Sequence, residues 1–178
     1  MQLKDYIPKL KNKYNNIFFS GIAFDSSKVK KNNIFFAIKG TEIDGNNFID
    51  SAIKKGAKVI FTEKKKLRKK KGILYFYSSN VRKLLSEVSY KMIKKKPKKL
   101  VAVTGTNGKS SIADFYFQIL NFNFKKVASI GTIGLKCPNF KKTLANTTLD
   151  PIKQSLILKD LRKKKIDYVI MEASSHGL

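Results

Sequence analysis

The sequence has little cysteine and no long apolar run. Cys137 is the only cysteine among 178 residues, so no disulfide can form within the chain. This is typical of proteins from a reducing compartment. No apolar run approaches the roughly 18 residues that are needed to span a bilayer. The N-terminal segment Met1–Tyr6 lacks the apolar core of a signal peptide. We therefore expect a cytoplasmic protein that has no membrane partner.

Acidic residues and arginine are also scarce. The chain has 12 acidic and 38 basic residues, which gives a net charge of +26, and its only arginines are Arg68, Arg82 and Arg162. Arginine is the side chain that favours bidentate contacts with phosphates and bases. Lysine lies in short runs beside predicted turns, such as 64–66 and 163–165, and this arrangement is typical of a solvated surface. We therefore expect no specific nucleic-acid partner.

Helical and extended patterns alternate along the chain. Apolar residues at helical spacing predict helices, and short apolar runs predict buried strands. The predicted helices cover 2–13, 48–53, 80–94, 109–121 and 151–164, and the predicted strands cover 17–24, 34–38, 59–61, 73–77, 100–103, 127–130 and 168–171. Wholly apolar strands separated by helices indicate a parallel sheet that is covered on both faces. Pro97 lies within a lysine run and indicates a boundary, so we predict two α/β domains, 1–96 and 98–178.

Two of the predicted helices carry more specific expectations. The helix over 109–121 has four apolar residues that we expect to face the core, namely Ile112, Phe115, Tyr116 and Ile119. Asp150 followed by Pro151 is typical of an N-cap and a first helical residue. Helix capping therefore explains Asp150 without a role in binding.

A glycine-rich turn joins the strand 100–103 to the helix 109–121. Its sequence is Gly105-Thr106-Asn107-Gly108-Lys109-Ser110, a shortened phosphate-binding loop, because position 103 is valine where the standard pattern has its first glycine. The two glycines let backbone N–H groups approach phosphate oxygens, and the helix N-terminus favours negative charge. We expect Lys109 to reach the β- and γ-phosphates and Ser110 to coordinate Mg²⁺.

Polar residues follow several predicted strands. Glu172 ends the last strand, at the edge where open α/β sheets bind ligands, and is either an Mg²⁺ ligand or a surface glutamate. The loops Asp25–Ser27 and Gly40–Gly45 are either a ligand edge or ordinary turns, and Asn146–Thr148 is either a binding loop or a plain one. The run Ser174-Ser175-His176 is not a catalytic triad, whose members meet in space, so we exclude a serine hydrolase.

Four segments together resemble the Mur ligase family. Val103–Ser110 is similar to the ATP loop of the Mur ligases and of the related folylpolyglutamate synthases. Asn146–Thr148 resembles a muramyl-substrate loop, and Met171–Leu178 resembles the branch that adds the third amino acid of the peptidoglycan stem. The segments that resemble the uridine-binding first domain are Phe24–Ser26, Phe35–Gly40 and Asp44–Gly45. The resemblance covers nearly the whole chain, and its segments occur in the expected order.

The resemblance implies a role for each matching residue. Lys109 and Glu172 would be catalytic, and Ser110 and Glu172 would serve Mg²⁺. The residues that would bind ATP are Gly105, Thr106, Asn107, Gly108, Lys109, Ser110 and Ser111. The residues that would touch the uridine nucleotide are Phe24, Ser26, Thr41, Glu42 and Ile43. The residues that would touch the muramyl-dipeptide end are Asn146, Thr147, Thr148 and Ser174.

The resemblance also implies a chemistry. In this branch of the family, ATP phosphorylates the D-Glu carboxylate of UDP-N-acetylmuramoyl-L-Ala-D-Glu, and the amine of a diamino acid attacks the acyl phosphate. Such ligases have three domains, and this chain stops partway through the second. We therefore expect a fragment that is inactive by itself and whose last strand, 168–171, lacks neighbours in the sheet.

Three alternatives stay open. A different Mur ligase or a folylpolyglutamate synthase shares the ATP loop, although the presence of a first domain argues against the folate branch. A basic nucleic-acid-binding protein would show binding that weakens steeply as the salt concentration rises. A remnant that only binds uridine nucleotides is the third alternative.

Overall fold

The chain folds as two α/β units. The computed structural model describes residues 1–8, 10, 14, 16–40, 42–65, 70–143 and 149–173. Contacts divide the chain into the units Met1–Met92 and Ile93–Leu178, and Ile93 packs in the core of the second unit. The functional domains 1–96 and 98–178 stay a prediction. In the described part of the chain, none of the helices has the length and apolarity that a bilayer-crossing segment needs.

The first unit contains a four-stranded parallel sheet, in the order β1-β2-β3-β4. Its strands are β1 (Gly21–Ala23), β2 (Asn33–Ala37), β3 (Ala57–Thr62) and β4 (Leu74–Tyr77). Every residue of β2 is buried, because an inner parallel strand is covered on both faces. The predicted strands are confirmed, although the first is shorter than the predicted range 17–24. Since the strands are parallel, the segments that follow them all start at one edge of the sheet.

The helices of the first unit are α1 (Leu3–Tyr6), α2 (Ile49–Lys54) and α3 (Val81–Lys91). Helix α2 ends just before Gly56, as predicted from the sequence. Gly56 has a φ of 106°, in the region that favours glycine. The helix predicted over 2–13 is wrong in length, because α1 ends at Tyr6. Pro8 explains this early end, since proline disfavours a helical conformation in the preceding residue, and Ile7 has a ψ of 72°.

The second unit contains a five-stranded sheet, in the order β5-β9-β6-β7-β8. Its strands are β5 (Lys99–Val103), β6 (Val127–Gly131), β7 (Gly134–Cys137), β8 (Phe140–Lys142) and β9 (Tyr168–Glu172). The pairings of β9 with β5 and β6 are parallel, which confirms the predicted sheet. The pairings of β6 with β7 and of β7 with β8 are antiparallel, and neither β7 nor β8 was predicted from the sequence. The expectation that the last strand lacks neighbours is wrong, because β9 lies between β5 and β6.

Helices α4 (Lys109–Phe122) and α5 (Pro151–Lys163) belong to the second unit. The predicted cap of α5 is confirmed, because the carboxylate of Asp150 accepts a hydrogen bond from the backbone N–H of Lys153 at 2.9 Å. Helix α5 supplies Leu158 and Leu161 to a core cluster that also contains Val169 of β9.

The predicted orientation of α4 is wrong. Three residues that were expected to face inward are 53–62% exposed, namely Ile112, Phe115 and Ile119, and Tyr116 is half-buried. The residues of α4 that are buried are Ala113 and Phe117. Both sides of this helix carry apolar residues at helical spacing, so the periodicity does not determine which side faces the sheet.

Candidate functional site

The glycine-rich loop lies at the carboxyl end of β5. Gly105 and Gly108 have φ angles of 147° and 77°, in the region that favours glycine. Gly108 is also the N-cap of α4, and no side chain of the described residues caps this helix. The first N–H groups of α4 are therefore available to an anion, which the positive end of the helix dipole favours.

The ammonium group of Lys109 folds back over the loop. Its Nζ donates hydrogen bonds to the carbonyl oxygens of Gly105 at 2.6 Å and Thr106 at 3.1 Å. Thr106, Asn107 and Ser111 are exposed around it. The lysine is thus held at the loop, where phosphate oxygens would replace the two carbonyls as acceptors of a charge-assisted hydrogen bond.

Glu172 places a buried carboxylate beside the loop. It is the register partner of Val103, the last residue of the strand that leads into the loop, and it is only 6% exposed. The hydroxyl of Ser110 donates to Oε2 of Glu172 at 2.9 Å. The interpretation of Glu172 as a surface glutamate is therefore wrong.

Two residues of this site were missed by the sequence analysis, Gly131 and Thr132. The hydroxyl of Thr132 donates to Oε2 of Glu172 at 2.9 Å, and its backbone N–H donates to Oε1 at 3.2 Å. A Cβ atom at position 131 would lie 2.1 Å from Oε1 of Glu172, so glycine leaves the room that the carboxylate occupies. The available signal was their position directly after a predicted strand, at the edge where ligands bind.

The groups gathered here suit Mg²⁺. A carboxylate and a hydroxyl are hard oxygen ligands, and Mg²⁺ in proteins commonly keeps several waters and binds substrate phosphates besides one or two carboxylates. Glu172 accepts three hydrogen bonds, whereas a carboxylate has about four acceptor positions, so one remains for a ligand. Among the described residues there is no group of three or more His, Cys, Asp and Glu that could hold a metal. Phosphate and water would therefore supply most of the ligands.

An ion pair connects α4 to β7. Nζ of Lys136 lies 2.6 Å from Oδ1 of Asp114 and 4.5 Å from the ring centroid of Phe117. The hydrogen bond from Lys136 holds the pKa of Asp114 below its usual value. This contact joins the helix that follows the glycine-rich loop to β7, and its residues were not singled out in the sequence.

The loops after β1 and β2 begin at the same edge of the first sheet. Phe24 and Ser26 follow β1 and are half-buried. The carboxylate of Asp25 accepts the N–H of Ser27 at 2.8 Å and caps a 3₁₀ turn over Ser26–Lys28. The hydrogen bonds from Ser27 hold the pKa of Asp25 below its usual value. Asp25 therefore shapes the turn that presents Ser26.

The loop after β2 is a tight turn. A Cβ atom on Gly45 would lie 2.6 Å from the carbonyl oxygen of Ile38, so this close approach requires glycine. The carboxylate of Asp44 accepts the N–H of Asn46 at 2.9 Å, which lowers its pKa. Two predicted substrate residues of this loop, Glu42 and Ile43, point into solvent, and Ile43 is 63% exposed.

Several predicted substrate residues lie outside the described residues. They are Thr41, Asn146, Thr147, Thr148 and Ser174, and His176 lies outside them as well. The structure therefore brings together Ser110, Lys109 and Glu172 in the second unit, and it places Phe24, Ser26, Glu42 and Ile43 on loops that follow neighbouring strands of the first.

Two family models match the chain over nearly all of its length. The model described as "Mur ligase family, catalytic domain" matches residues 19–102, and the model described as "Mur ligase middle domain" matches residues 103–178. The chain belongs to the Mur ligase family. The resemblance drawn from the four sequence segments is thereby confirmed.

Curated relatives of this Mur ligase chain are similar across most of it. The UDP-N-acetylmuramoyl-L-alanyl-D-glutamate--2,6-diaminopimelate ligase of Rickettsia typhi is 40% identical over 93% of this chain, which covers 34% of that relative. The protein of the same name from Wigglesworthia glossinidia brevipalpis is 37% identical over the whole chain, which covers 38% of it. This Mur ligase chain thus spans about a third of the length of the curated relatives it matches.

Solved structures agree with the Mur ligase fold. A structure titled as a UDP-N-acetylmuramoyl-L-alanyl-D-glutamate--2,6-diaminopimelate ligase superposes with a TM-score of 0.81 at 24% identity and covers 99% of this chain, which covers 36% of it. The MurF ligase of Thermotoga maritima in complex with ADP superposes with a TM-score of 0.55 at 21% identity, covering 90% of this chain and 33% of its own. At these identities the likeness concerns the fold alone, and it confirms the predicted α/β class.

Proposed function

We propose that this chain forms the nucleotide-binding and UDP-substrate-binding parts of an ATP-dependent ligase that joins a diamino acid to UDP-N-acetylmuramoyl-L-alanyl-D-glutamate. The observation that supports this most strongly is the 2.9 Å hydrogen bond between Ser110 and Glu172 beside the glycine-rich loop. It brings a hydroxyl and a buried carboxylate to the place where the phosphates of a nucleotide would end. The relatives are named for 2,6-diaminopimelate, so we propose this compound as the diamino acid.

In this proposal the loop residues Gly105–Ser111 bind the triphosphate through backbone N–H groups. Lys109 leaves the two loop carbonyls and places its charge against the transferred phosphoryl group. Electrostatic stabilisation of that group is the main task of a phosphoryl-transfer site. The phosphoryl group passes to the D-Glu carboxylate, and the amine of the diamino acid then displaces phosphate and forms the amide.

Ser110 and Glu172 are the residues proposed to hold Mg²⁺. When bound, such an ion offsets the negative charge of the β- and γ-phosphates. Thr132 and Gly131 act indirectly, because they fix the position of the Glu172 carboxylate.

The uridine nucleotide is proposed to bind at the edge of the first sheet. Phe24, Ser26, Glu42 and Ile43 lie there on loops that follow two neighbouring parallel strands, and Thr41 belongs to the same set. The muramyl-dipeptide end is proposed to contact Asn146, Thr147, Thr148 and Ser174. The proposed ligase works in the cytoplasm on small molecules, with no nucleic-acid or membrane partner.

Titration calorimetry with ADP and Mg²⁺ tests the nucleotide site. Wild-type chain is expected to bind, and Lys109→Ala is expected to weaken binding by roughly tenfold or more, because a charge-assisted hydrogen bond contributes about 1.5–3 kcal/mol. Lys126→Ala, which removes an exposed lysine that is not in the loop, serves as the matched control. Absence of binding by the wild type, or equal affinities of both variants, would overturn the proposed site.

Activity of the chain alone is a separate measurement. We propose that it releases no ADP from ATP when UDP-N-acetylmuramoyl-L-alanyl-D-glutamate and 2,6-diaminopimelate are both present. ADP release that depends on both substrates would show that the chain is sufficient.

A further inference from the structure

The loop after β2 is closed at its base by its own backbone. The N–H of Gly40 donates to the carbonyl oxygen of Ile43 at 2.9 Å, and the N–H of Gly45 donates to that of Ile38 at 2.9 Å. Glu42 and Ile43, which are proposed to touch the uridine nucleotide, are exposed on this loop. Their positions therefore depend on what fixes the base of the loop to the sheet.

Four polar residues connect that base to the end of β3. The hydroxyl of Thr62 donates to Oδ1 of Asn46 at 2.5 Å, and the side-chain amide of Asn46 donates to Oδ1 of Asp44 at 2.6 Å. Oδ2 of Asp44 lies 3.1 Å from Nζ of Lys64, whose backbone N–H donates to the hydroxyl of Thr62 at 3.0 Å. The contacts thus return to their starting point, and we call these four residues the polar ring.

Thr62 anchors the polar ring in the sheet. It is 2% exposed and is the last residue of β3, which pairs with β2 on one side and with β4 on the other. Its carbonyl oxygen accepts the N–H of Ser78 at 3.0 Å. Since its buried hydroxyl both donates and accepts a hydrogen bond, turning it away would leave polar groups without partners. The loop after β2 is therefore attached through Thr62 to an inner strand.

The contacts of the polar ring differ in strength. The side chains of Asp44 and Lys64 are 27% and 46% exposed, and an exposed ion pair contributes little to stability. Asn46 is half-buried and joins Thr62 to Asp44, and Asp44 is the N-cap of the 3₁₀ turn Gly45–Phe48. The hydrogen bond between Thr62 and Asn46 is therefore the contact on which the ring depends most.

We propose that the polar ring holds the loop after β2 in the conformation that binds the uridine nucleotide, with Thr62 and Asn46 as positioning residues. A loop that is fixed before binding loses less conformational freedom when the ligand binds. A loop that adopts the binding conformation only part of the time lowers the observed affinity by that fraction. The inference rests on the proposed uridine site, and it adds two residues that lie outside the segments in which the sequence resembles that site.

Titration calorimetry with UDP-N-acetylmuramoyl-L-alanyl-D-glutamate tests the polar ring. Thr62→Val keeps the shape of the side chain and removes the hydroxyl, so Oδ1 of Asn46 and the N–H of Lys64 both lose a partner. We expect the affinity to fall about three- to tenfold, as for the loss of a neutral hydrogen bond. Thr62→Ser keeps the hydroxyl and should restore the affinity, although it leaves a small cavity in the core.

Two controls separate positioning from a general loss of structure. Ser89→Ala removes a hydroxyl of a residue that is 1% exposed and belongs to the same unit, and this hydroxyl has no hydrogen-bond partner among the described residues. It should therefore leave the affinity unchanged. The affinity for ADP is the internal reference, because the proposed ADP site lies in the other unit and should not respond to Thr62→Val. Circular dichroism shows that each variant is folded before the affinities are compared.

A double variant tests whether the two positioning residues act through one contact. Asn46→Ala removes the acceptor of the Thr62 hydroxyl together with the amide that donates to Asp44. Residues that act in one hydrogen-bond network have non-additive effects, so Thr62→Val should cost little further affinity when Asn46→Ala is already present. Losses that multiply in the double variant would show that the two residues act separately and would overturn the ring as a unit.

The outcomes separate this inference from the proposed function. If the wild type binds the UDP compound and Thr62→Val binds it equally well, the polar ring is overturned and the proposed uridine site stands. The same conclusion follows from equal losses in Thr62→Val and Thr62→Ser, or from a parallel loss of ADP affinity. If the wild type does not bind the UDP compound, the proposed uridine site and the polar ring are both overturned.

Discussion

The Glu172 carboxylate has little freedom in this structure. It is 6% exposed, and Ser110 and Thr132 donate hydrogen bonds to it. A buried carboxylate that is held by hydroxyl groups is fixed in orientation, and such outer partners tune how tightly a metal ligand binds its ion. The position of this carboxylate therefore depends on Thr132 and Gly131, which themselves have no proposed contact with a substrate.

Replacing Thr132 with valine tests this dependence. Thr132→Val keeps the shape and the backbone N–H but removes the hydroxyl that donates to Glu172. We expect the Mg²⁺-dependent gain in ADP affinity to fall roughly tenfold, at the lower end of the range known for outer partners of metal ligands. Thr132→Ser retains a hydroxyl and should restore the gain. An equal loss of affinity in Mg²⁺ and in EDTA would mean that Thr132 does not act through the metal.

Replacing Gly131 with alanine tests the space beside the carboxylate. The new Cβ would lie 2.1 Å from Oε1 and 2.3 Å from Cδ of Glu172, so the side chain must leave its three hydrogen bonds. We expect Gly131→Ala to destabilise the second unit by about 1–3 kcal/mol, as overpacking does, measured by urea unfolding. Gly21→Ala is the control, because its Cβ would meet Asn33 Oδ1 at 3.2 Å and needs only a small adjustment. Equal stability of both variants would contradict the close contact.

At the scale of helices and strands, local signals predicted most elements but not their environment. The cap Asp150-Pro151 and the loop between β5 and α4 follow from consecutive residues, so the sequence was sufficient for both. The inner side of α4 was predicted wrongly, since it is chosen by Ala113 and Phe117 packing on the sheet rather than by periodicity. The β7–β8 hairpin was missed because β8 contributes only three residues, all exposed.

The candidate site shows the same division between local and non-local information. Lys109 and Ser110 are neighbours in sequence and could be predicted together with their loop. Thr132 meets Glu172 only because β9 inserts between β5 and β6. That strand order depends on how the whole unit packs, and no segment of the sequence encodes it by itself. The partner of the carboxylate therefore became visible only in the folded chain.

At the scale of the whole molecule, charge repulsion should make stability depend on salt. The chain carries a net charge of +26, and repulsion among like charges destabilises a compact state. Its surface ion pairs, such as Lys70–Asp50 and Lys163–Asp160, are largely exposed and contribute little that salt could remove. Since salt shortens the range of charge interactions to about 10 Å at 0.1 M, screening should relieve more repulsion than attraction.

We therefore expect the thermal midpoint to rise with sodium chloride, by roughly 2–4 °C for about 1 kcal/mol of relieved repulsion in a chain of this size. Circular dichroism at increasing salt concentration measures it, and potassium chloride at equal ionic strength should give the same curve, because screening does not depend on the cation. Sulfate at that ionic strength should raise the midpoint further if the glycine-rich loop binds this anion. Sulfate also strengthens apolar burial because it is excluded from protein surfaces, so Lys109→Ala should remove only the part of its excess over chloride that comes from binding at the loop. A midpoint that stays constant or falls as sodium chloride rises would show that repulsion does not limit the stability of this chain.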